Sequence, residues 1–552
     1  MKQSHTGTRL FAPLIALVTL TLCLLTTAHS ALAAYVPDTD YLQDRELLDT
    51  LQREAFKYMW EDADPHSGMA YEGTWQSDTR PVAVGGTGFG VAALVAATDR
   101  GWITREEAVG RLMKITLFLR DKTPRDRLKG AFPHWLDGAT GQAIKFGKGD
   151  EDADIVETSL LMQGLLIARA YFNGPGVEAE LRTVITELWE GVDWNWFTNN
   201  EESGLYWHWS PKRGFRMGLK ILGYNECLIT YVLAASSPTH PISRKAYDYW
   251  TSGKGYRPKE VYGYKVEAAL PGAGPLFLAH YSFIGLDPRR MADAFVPGGY
   301  FVRNVKHTLS NRSYCLFNAP AKNRYDADFW GLTAGHIKDG YAASEPANDK
   351  GVVTPTAALS SMPYTPCYSM QVLRHLAGRL RDKIWGPYGP YDGISLRDNW
   401  ASTDYLAIDQ LPIVCMVENY RSGLLWRLLM SDPDIRAGLD KAGIAEPNFS
   451  EGFPEAVVTV KRDGKRYAPD AHDLCRHPDT GRYILPYFTE EAGEAVFIFK
   501  DEDGREAFSI RQEAAKGRNR LVFAPFRRPD DSIFTLTMRT ARGEYNLPLR
   551  LN

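Results

Sequence analysis

The stretch DEDADIVETSLLMQGLL, residues 150–166, sets five acidic residues in its first eight positions and then turns apolar. Extended to DIVETSLLMQGLLIARAYF (154–172), it carries apolar residues at helical spacing, which predicts a buried helix starting near Asp152. Asp154 and Glu157, three apart, then project from one face of the first turn beside the positive end of the helix dipole, a placement that keeps both ionised. An acidic N-terminal cap on a buried helix is the plainer reading of the same pattern.

The spacing recurs on both sides of this stretch. RELLDTLQREAFKYMWE (45–61), VGGTGFGVAALVAATDRG (84–101), REEAVGRLMKITLFLRD (105–121) and LRTVITELWEGV (181–192) show it, as do NECLITYVLAASS (225–237), SMQVLRHLAGRLRDKI (369–384) and ENYRSGLLWRLLMSD (418–432). Long loops rich in Trp, Gly, Pro and Tyr join them, such as DWNWFTNNEESGLYWHWSPKRG (193–214) and IWGPYGPYDGISLRDNW (384–400). Their aromatic load argues against disorder. Helices joined by such loops on one face predict a mainly α fold, a toroid of helical hairpins with a cleft. From residue 448 the pattern changes to period two with DG and RG turns, as in YILPYF (483–488), AVFIFKDEDG (495–504) and SIFTLTMRT (532–540). That predicts a small β-sandwich-like domain over 448–552 after a helical domain over 35–447.

Composition narrows the partners. With a formal net charge of -3 across 552 residues, the chain has no basic field for nucleic acid. Its 12% aromatic content, with 14 Trp and 28 Tyr, suits stacking surfaces as well as a large core. Residues 1–34 combine a basic start, the apolar run LFAPLIALVTLTLCLLTTA and the small-residue end AHSALAA, which reads as a cleaved signal peptide. The expected location is periplasmic or secreted, with no stable membrane insertion after cleavage. The five later cysteines, Cys227, Cys315, Cys367, Cys415 and Cys475, show no CxxC spacing and predict neither a disulfide scaffold nor a zinc cluster. One or two bridges stay open, and no metal or cofactor is expected.

Several motifs fail on inspection. GGTGFG (85–90) lacks both the dinucleotide spacing and the GK[ST] ending, and is expected to be a turn before a tightly packed helix. As a calcium loop, the run from Asp150 has Ile155 at position six and Leu161 at position twelve in place of Gly and Glu. HExxH and GxSxG are missing. Carboxylates remain. Glu226 stands in LGYNECLITYVLA just after the aromatic LYWHWSP, and Asp409 stands in YLAIDQLPIVCMVENY between apolar neighbours. A carboxylate is costly to bury alone, so each must be bonded, paired or used. With Asp154 and Glu157 they fit a glycoside hydrolase cleft, where a protonated acid and an ionised base flank the scissile bond. Trp207, His208, Trp209, Trp330, Tyr364 and Tyr391 are candidates to stack on sugar faces, and Asn225, Glu418 and Asn419 to bond hydroxyls. Loop packing is the rival role for each aromatic, and an i,i+3 ion pair with Arg421 the rival for Glu418.

The blocks ETSLLMQGLL, LYWHWSP, LGYNECLITYVLAASSPTHPI, GPLFLAHYSFIGLDPR, WGLTA, TPTAALSSMPYTP, GPYGPYDGISL and AIDQLPIVCMVENYRSGLLW resemble the glycoamylase-like domain of bacterial glycoside hydrolase family 144, over residues 45 to 435. The resemblance implies an (α/α)6 toroid whose members cleave β-1,2-glucans, some internally and others by releasing sophorose from a chain end. It implies Glu226 as general acid, Asp409 as the base that activates water, Asp154 and Glu157 as an acidic pair in the cleft, and inversion at the anomeric carbon. Rival expectations are another β- or α-glucan on the same fold, a polysaccharide lyase, or a non-catalytic glycan-binding protein that tolerates loss of Glu226.

Overall fold

A computed structural model describes residues 40–75, 79–145, 152–201, 203–252, 256–453, 460–463, 466–469, 471–524 and 533–552. The signal-peptide reading of 1–34 lies outside them, as do Asp150 and Glu151.

Helices of unlike character follow one another in the first half. α1 (Asp40–Glu61) leads to α2 (Val84–Asp99), buried from Val84 to Ala97, and then to amphipathic α3 (Arg105–Asp121), opened by a Thr104/Glu107 capping box. α4 (Ile155–Tyr171), buried from Ile155 to Ala168, is followed by amphipathic α5 (Val177–Glu190), and α6 (Leu228–Ser236), buried throughout, by α7 (Arg244–Thr251). α8 (Tyr300–Phe317), α9 (Pro366–Gly378) and α10 (Ala407–Arg421) come next, and α10 is buried along nearly its whole length. A helix apolar on every side must be surrounded by protein, and these are. α2 packs on both α4 and α10, α4 on α6, and the turn Tyr281–Ile284 touches α6 and α10.

The α2–α4 crossing explains the glycine run. The helix begins at Val84, so GGTGFG lies inside it and is not a preceding turn. A Cβ on Gly88 would stand 2.2 Å from the Leu160 carbonyl oxygen, and one on Gly164 2.0 Å from that of Gly88. Bare backbone thus meets bare backbone, the closest approach two helices can make. Gly164→Ala is expected to lower stability by about 3 kcal/mol from overpacking, outweighing the ~1 kcal/mol that alanine gains in helix propensity. A urea midpoint at or above that of the wild type would contradict this account of the crossing.

The C-terminal strands form a five-stranded sheet in the order His472–Leu474, Gly543–Leu551, Ile533–Thr540, Gly493–Lys500 and Glu506–Ala514, with only the first pairing parallel. A two-stranded ribbon, Tyr483–Thr489 with Gly517–Phe523, lays Tyr483, Leu485 and Tyr487 on the same apolar core as Phe497, Leu536 and Leu549. The two sheets therefore face each other across one core, as the period-two pattern predicts. This region is tied to the helices by a Cys367–Cys475 disulfide spanning 108 residues and by the buried Arg421 guanidinium, which bonds Asp479. Cys227, Cys315 and Cys415 are free and buried.

Candidate active site

Asp154 is the N-cap of α4, so the helix starts three residues later than Asp152. Its Oδ1 accepts from the backbone N–H groups of Val156 and Glu157 at 2.9 and 3.0 Å. Its Oδ2 lies 3.0 Å from His134 Nδ1 and 3.5 Å from His208 Nε2. Burial opposes its charge, but the two imidazoles overcome this and hold the carboxyl well below the usual carboxylate range. Fully enclosed, Asp154 orients the histidines and the helix end and does not open onto the cavity.

Glu157 differs. Its Oε2 accepts from the Gly85 N–H at 2.7 Å, and a Cβ on Gly85 would stand 2.6 Å from that oxygen, so the glycine makes room for the carboxylate. Burial pushes its acid up to about 7; His134 works against this, and Asp154 and Glu72 add to it. The expectation that the helix end keeps both residues ionised holds for Asp154 and only in part for Glu157, because desolvation and two like charges outweigh the dipole and leave that carboxyl partly protonated at neutral pH. Burial disfavours a charge on His134, yet Glu157, Asp154 and Glu72 together lift it to about 10, so the ring stays an imidazolium at neutral pH.

Glu226 sits just before α6, with its backbone carbonyl accepting from Ser282 Oγ. Its side chain keeps a little accessible surface toward the cavity, but protein surrounds it, and burial, with Asp154 adding, pushes its acid up to about 7. Asp409 lies in the first turn of α10 beside Asp392. Neither Asp409 oxygen receives a hydrogen bond from an N–H or O–H group, whereas Asp392 Oδ2 accepts from the His336 N–H at 2.5 Å and lies 3.4 Å from His336 Nδ1. Burial and then the neighbouring Asp392 hold Asp409 well above the carboxylate range. Two touching buried carboxyls ionise once between them, and the histidine fixes the charge nearer Asp392.

A cavity of about 490 Å³ gathers these groups, a volume within the range of small-ligand sites. Glu157, Glu226, Glu72 and His134 line it, with Trp75, Trp135, Trp207 and Phe277 as aromatic walls. The hairpin Ala334–Ile337/Gly340–Ala343 contributes His336 and Tyr341, the latter 54% exposed at the lip. Leu406 and Ile408 complete the wall in front of Asp409.

Of the sequence candidates, Glu157, Glu226 and Trp207 line the cavity, while His208 backs Asp154. Others are engaged elsewhere. Trp209 stands edge-on to Trp196, Asn225 Oδ1 accepts from the Cys227 N–H, and Tyr391 packs against Tyr405. Trp330 is fully buried in the core, and Tyr364 is buried and donates to the Ala279 carbonyl at 2.9 Å, so neither is free to stack on a sugar. Glu418 and Asn419 occupy the far end of α10, about 14 Å from Asp409 along the axis. There Glu418 pairs with Arg100 at 2.7 Å and Asn419 donates to the Ile284 carbonyl at 2.8 Å, which removes both from the site. Arg421 pairs with Asp49 and Asp479, not with Glu418. Sequence reading missed Glu72, His134, His336, Tyr341 and Asp392. FPHWLDG and GPYDGIS, aromatic loops of the kind singled out elsewhere, were the available signal for two of them.

A family model described as "Putative glucoamylase" matches residues 218–433, which take in Glu226, Asp392 and Asp409. The exo β-1,2-glucooligosaccharide sophorohydrolase (non-reducing end) of Parabacteroides distasonis is 40% identical over 424 residues, 72% of this chain. The chain spans 58% of the length of that curated relative. An endo-β-1,2-glucanase of Chitinophaga pinensis, solved with sophorotriose and glucose, is 45% identical with a TM-score of 0.71, covering 73% of this chain and 99% of that one. At 12% identity, an endo-β-1,2-glucanase of Talaromyces funiculosus shares the fold with a TM-score of 0.52 over 72% of this chain and 88% of that one. The chain belongs to the glycoamylase-like family of glycoside hydrolase family 144.

Proposed function

We propose that the chain is a glycoside hydrolase that cleaves β-1,2-glucan, and that its helical region over 35–447 is an (α/α)6 toroid with the 490 Å³ cavity at its mouth. The carrying observation is that Glu226, with its acid near 7, opens onto an aromatic-walled cavity behind which the Asp392–Asp409 pair lies buried. The relatives from Parabacteroides distasonis and Chitinophaga pinensis are named for action on β-1,2-linked glucose chains. Glu226 donates its proton to the leaving glycosidic oxygen. The Asp392–Asp409 pair, carrying one negative charge, takes the proton of the attacking water, directly or through a sugar hydroxyl, and the anomeric carbon inverts. Glu157 and the His134 cation bond sugar hydroxyls, Asp154 and His208 hold His134 in place, and Trp75, Trp207 and Tyr341 stack on pyranose faces. The N-terminal run and the Cys367–Cys475 bridge both fit export to an oxidising compartment, periplasmic or extracellular.

A reducing-sugar assay over β-1,2-, β-1,3- and α-1,4-glucans tests the substrate; activity confined to one of the latter two rejects the linkage. Because the proton donor must be protonated, kcat/KM is expected to fall as pH rises through about 7, where Glu226 loses its proton. A profile flat to pH 9 would remove Glu226 as the donor.

A further inference from the structure

A second cavity, of about 840 Å³, lies between the helical body and the β region. It borders Tyr420 and Arg421 at the C-terminal end of α10, whereas the first cavity borders Ile408 at the N-terminal end; roughly 18 Å of helix separates them. Arg289, Arg290, Arg421 and Arg427 reach it from the helical body and Arg518 and Arg520 from the strand Gly517–Phe523, against a single carboxylate, Asp287. On a chain of net charge -3 this is a marked local excess of cations.

Part of that charge is answered. Arg289 forks onto Asp287 with two contacts of 2.8 Å, Arg290 pairs with Glu446 at 2.7 Å, and Arg421 with Asp49 and Asp479. Arg518 donates to the Arg289 carbonyl and lies over the Phe449 ring. Arg427 donates to the Ser422 carbonyl, and neither Arg427 nor Arg520 meets a carboxylate among the described residues. The guanidiniums also converge. Gly423 takes φ 68°, and a Cβ there would stand 3.5 Å from Arg289 Nη2 and 3.6 Å from Arg427 Nη1, so bare backbone leaves a notch between two planar donors.

Like charges gathered in one cleft repel unless an anion joins them, and guanidinium forks match the oxygens of phosphate. We propose that this groove binds an oxyanion of the phosphate class, either free or carried on a saccharide for which the volume has room. The site is independent of the hydrolytic reading. Isothermal titration of the full chain with inorganic phosphate, glucose 6-phosphate and glucose tests it, beside R427Q/R520Q, whose exposed side chains leave the unliganded Tm unchanged. Saturable binding of one or both anions is expected, weakened at least tenfold in the variant and by added salt, with no binding of glucose. Tighter binding of glucose 6-phosphate assigns the site to a phosphorylated saccharide, and equal binding to free phosphate. Absence of saturable binding by either anion, undiminished affinity in the variant, or equal binding of glucose would overturn the proposal.

Discussion

Glu226→Gln is expected to lower the rate on linear β-1,2-glucan by about a thousandfold, the scale of a positioned general acid, while the chain stays folded. The amide keeps the size and polarity of the acid but has no acidic proton to give the leaving oxygen. The variant should also be the more stable protein above neutrality. In the fold the Glu226 acid is raised to about 7, against about 4.3 in an unfolded chain. Folding therefore holds the group neutral, and stability from this residue is lost as pH rises from the unfolded value through about 7. Replacing it by glutamine removes that loss, so a Tm gain of about 2 °C or more is expected at pH 8 and none at pH 4. An inactive variant with a lower Tm at pH 8 would point to damaged packing in place of lost chemistry.

Asp409→Asn is the second large effect, again about a thousandfold in kcat, because the proton of the attacking water is taken by the buried pair that Asp409 forms with Asp392 behind Leu406 and Ile408, and the amide cannot hold that proton. Its cost to the fold should be nil, since neither oxygen of Asp409 is held by a donor and its nearest polar neighbour is a like charge. Asp392→Asn separates the roles. Asp392 holds the Asp409 acid up, so removing it lowers that acid, and the acidic limb of the pH profile should move to lower pH with part of the activity retained. An unshifted limb would show that the two carboxyls do not share a proton.

The helical body and the β region were legible because both follow from local pattern: α2 is apolar on every side, α4 and α10 run apolar through their middles, and Tyr483, Leu485 and Tyr487 alternate inward. Glu226 and Asp409 stood out for a related reason, as lone charges inside apolar runs. Position along a helix is harder to read. Asp409 and Glu418 lie on the same helix, and nothing local says that one end meets the cavity while the other meets Arg100. His134 and Asp392 sit in loops, and their partners Asp154 and His336 come from distant parts of the sequence. Trp330 and Tyr364 looked like loop aromatics, and only the folded core shows them enclosed.

Hydrolysis of β-1,2-linked glucose at the Glu226 cavity can be followed by proton NMR of linear β-1,2-glucan during the first minutes of reaction. New reducing ends are expected to appear first as the α-anomer with wild type, and none with Glu226→Gln. No reducing ends from wild type, an unsaturated product, or equal rates for both proteins would contradict it.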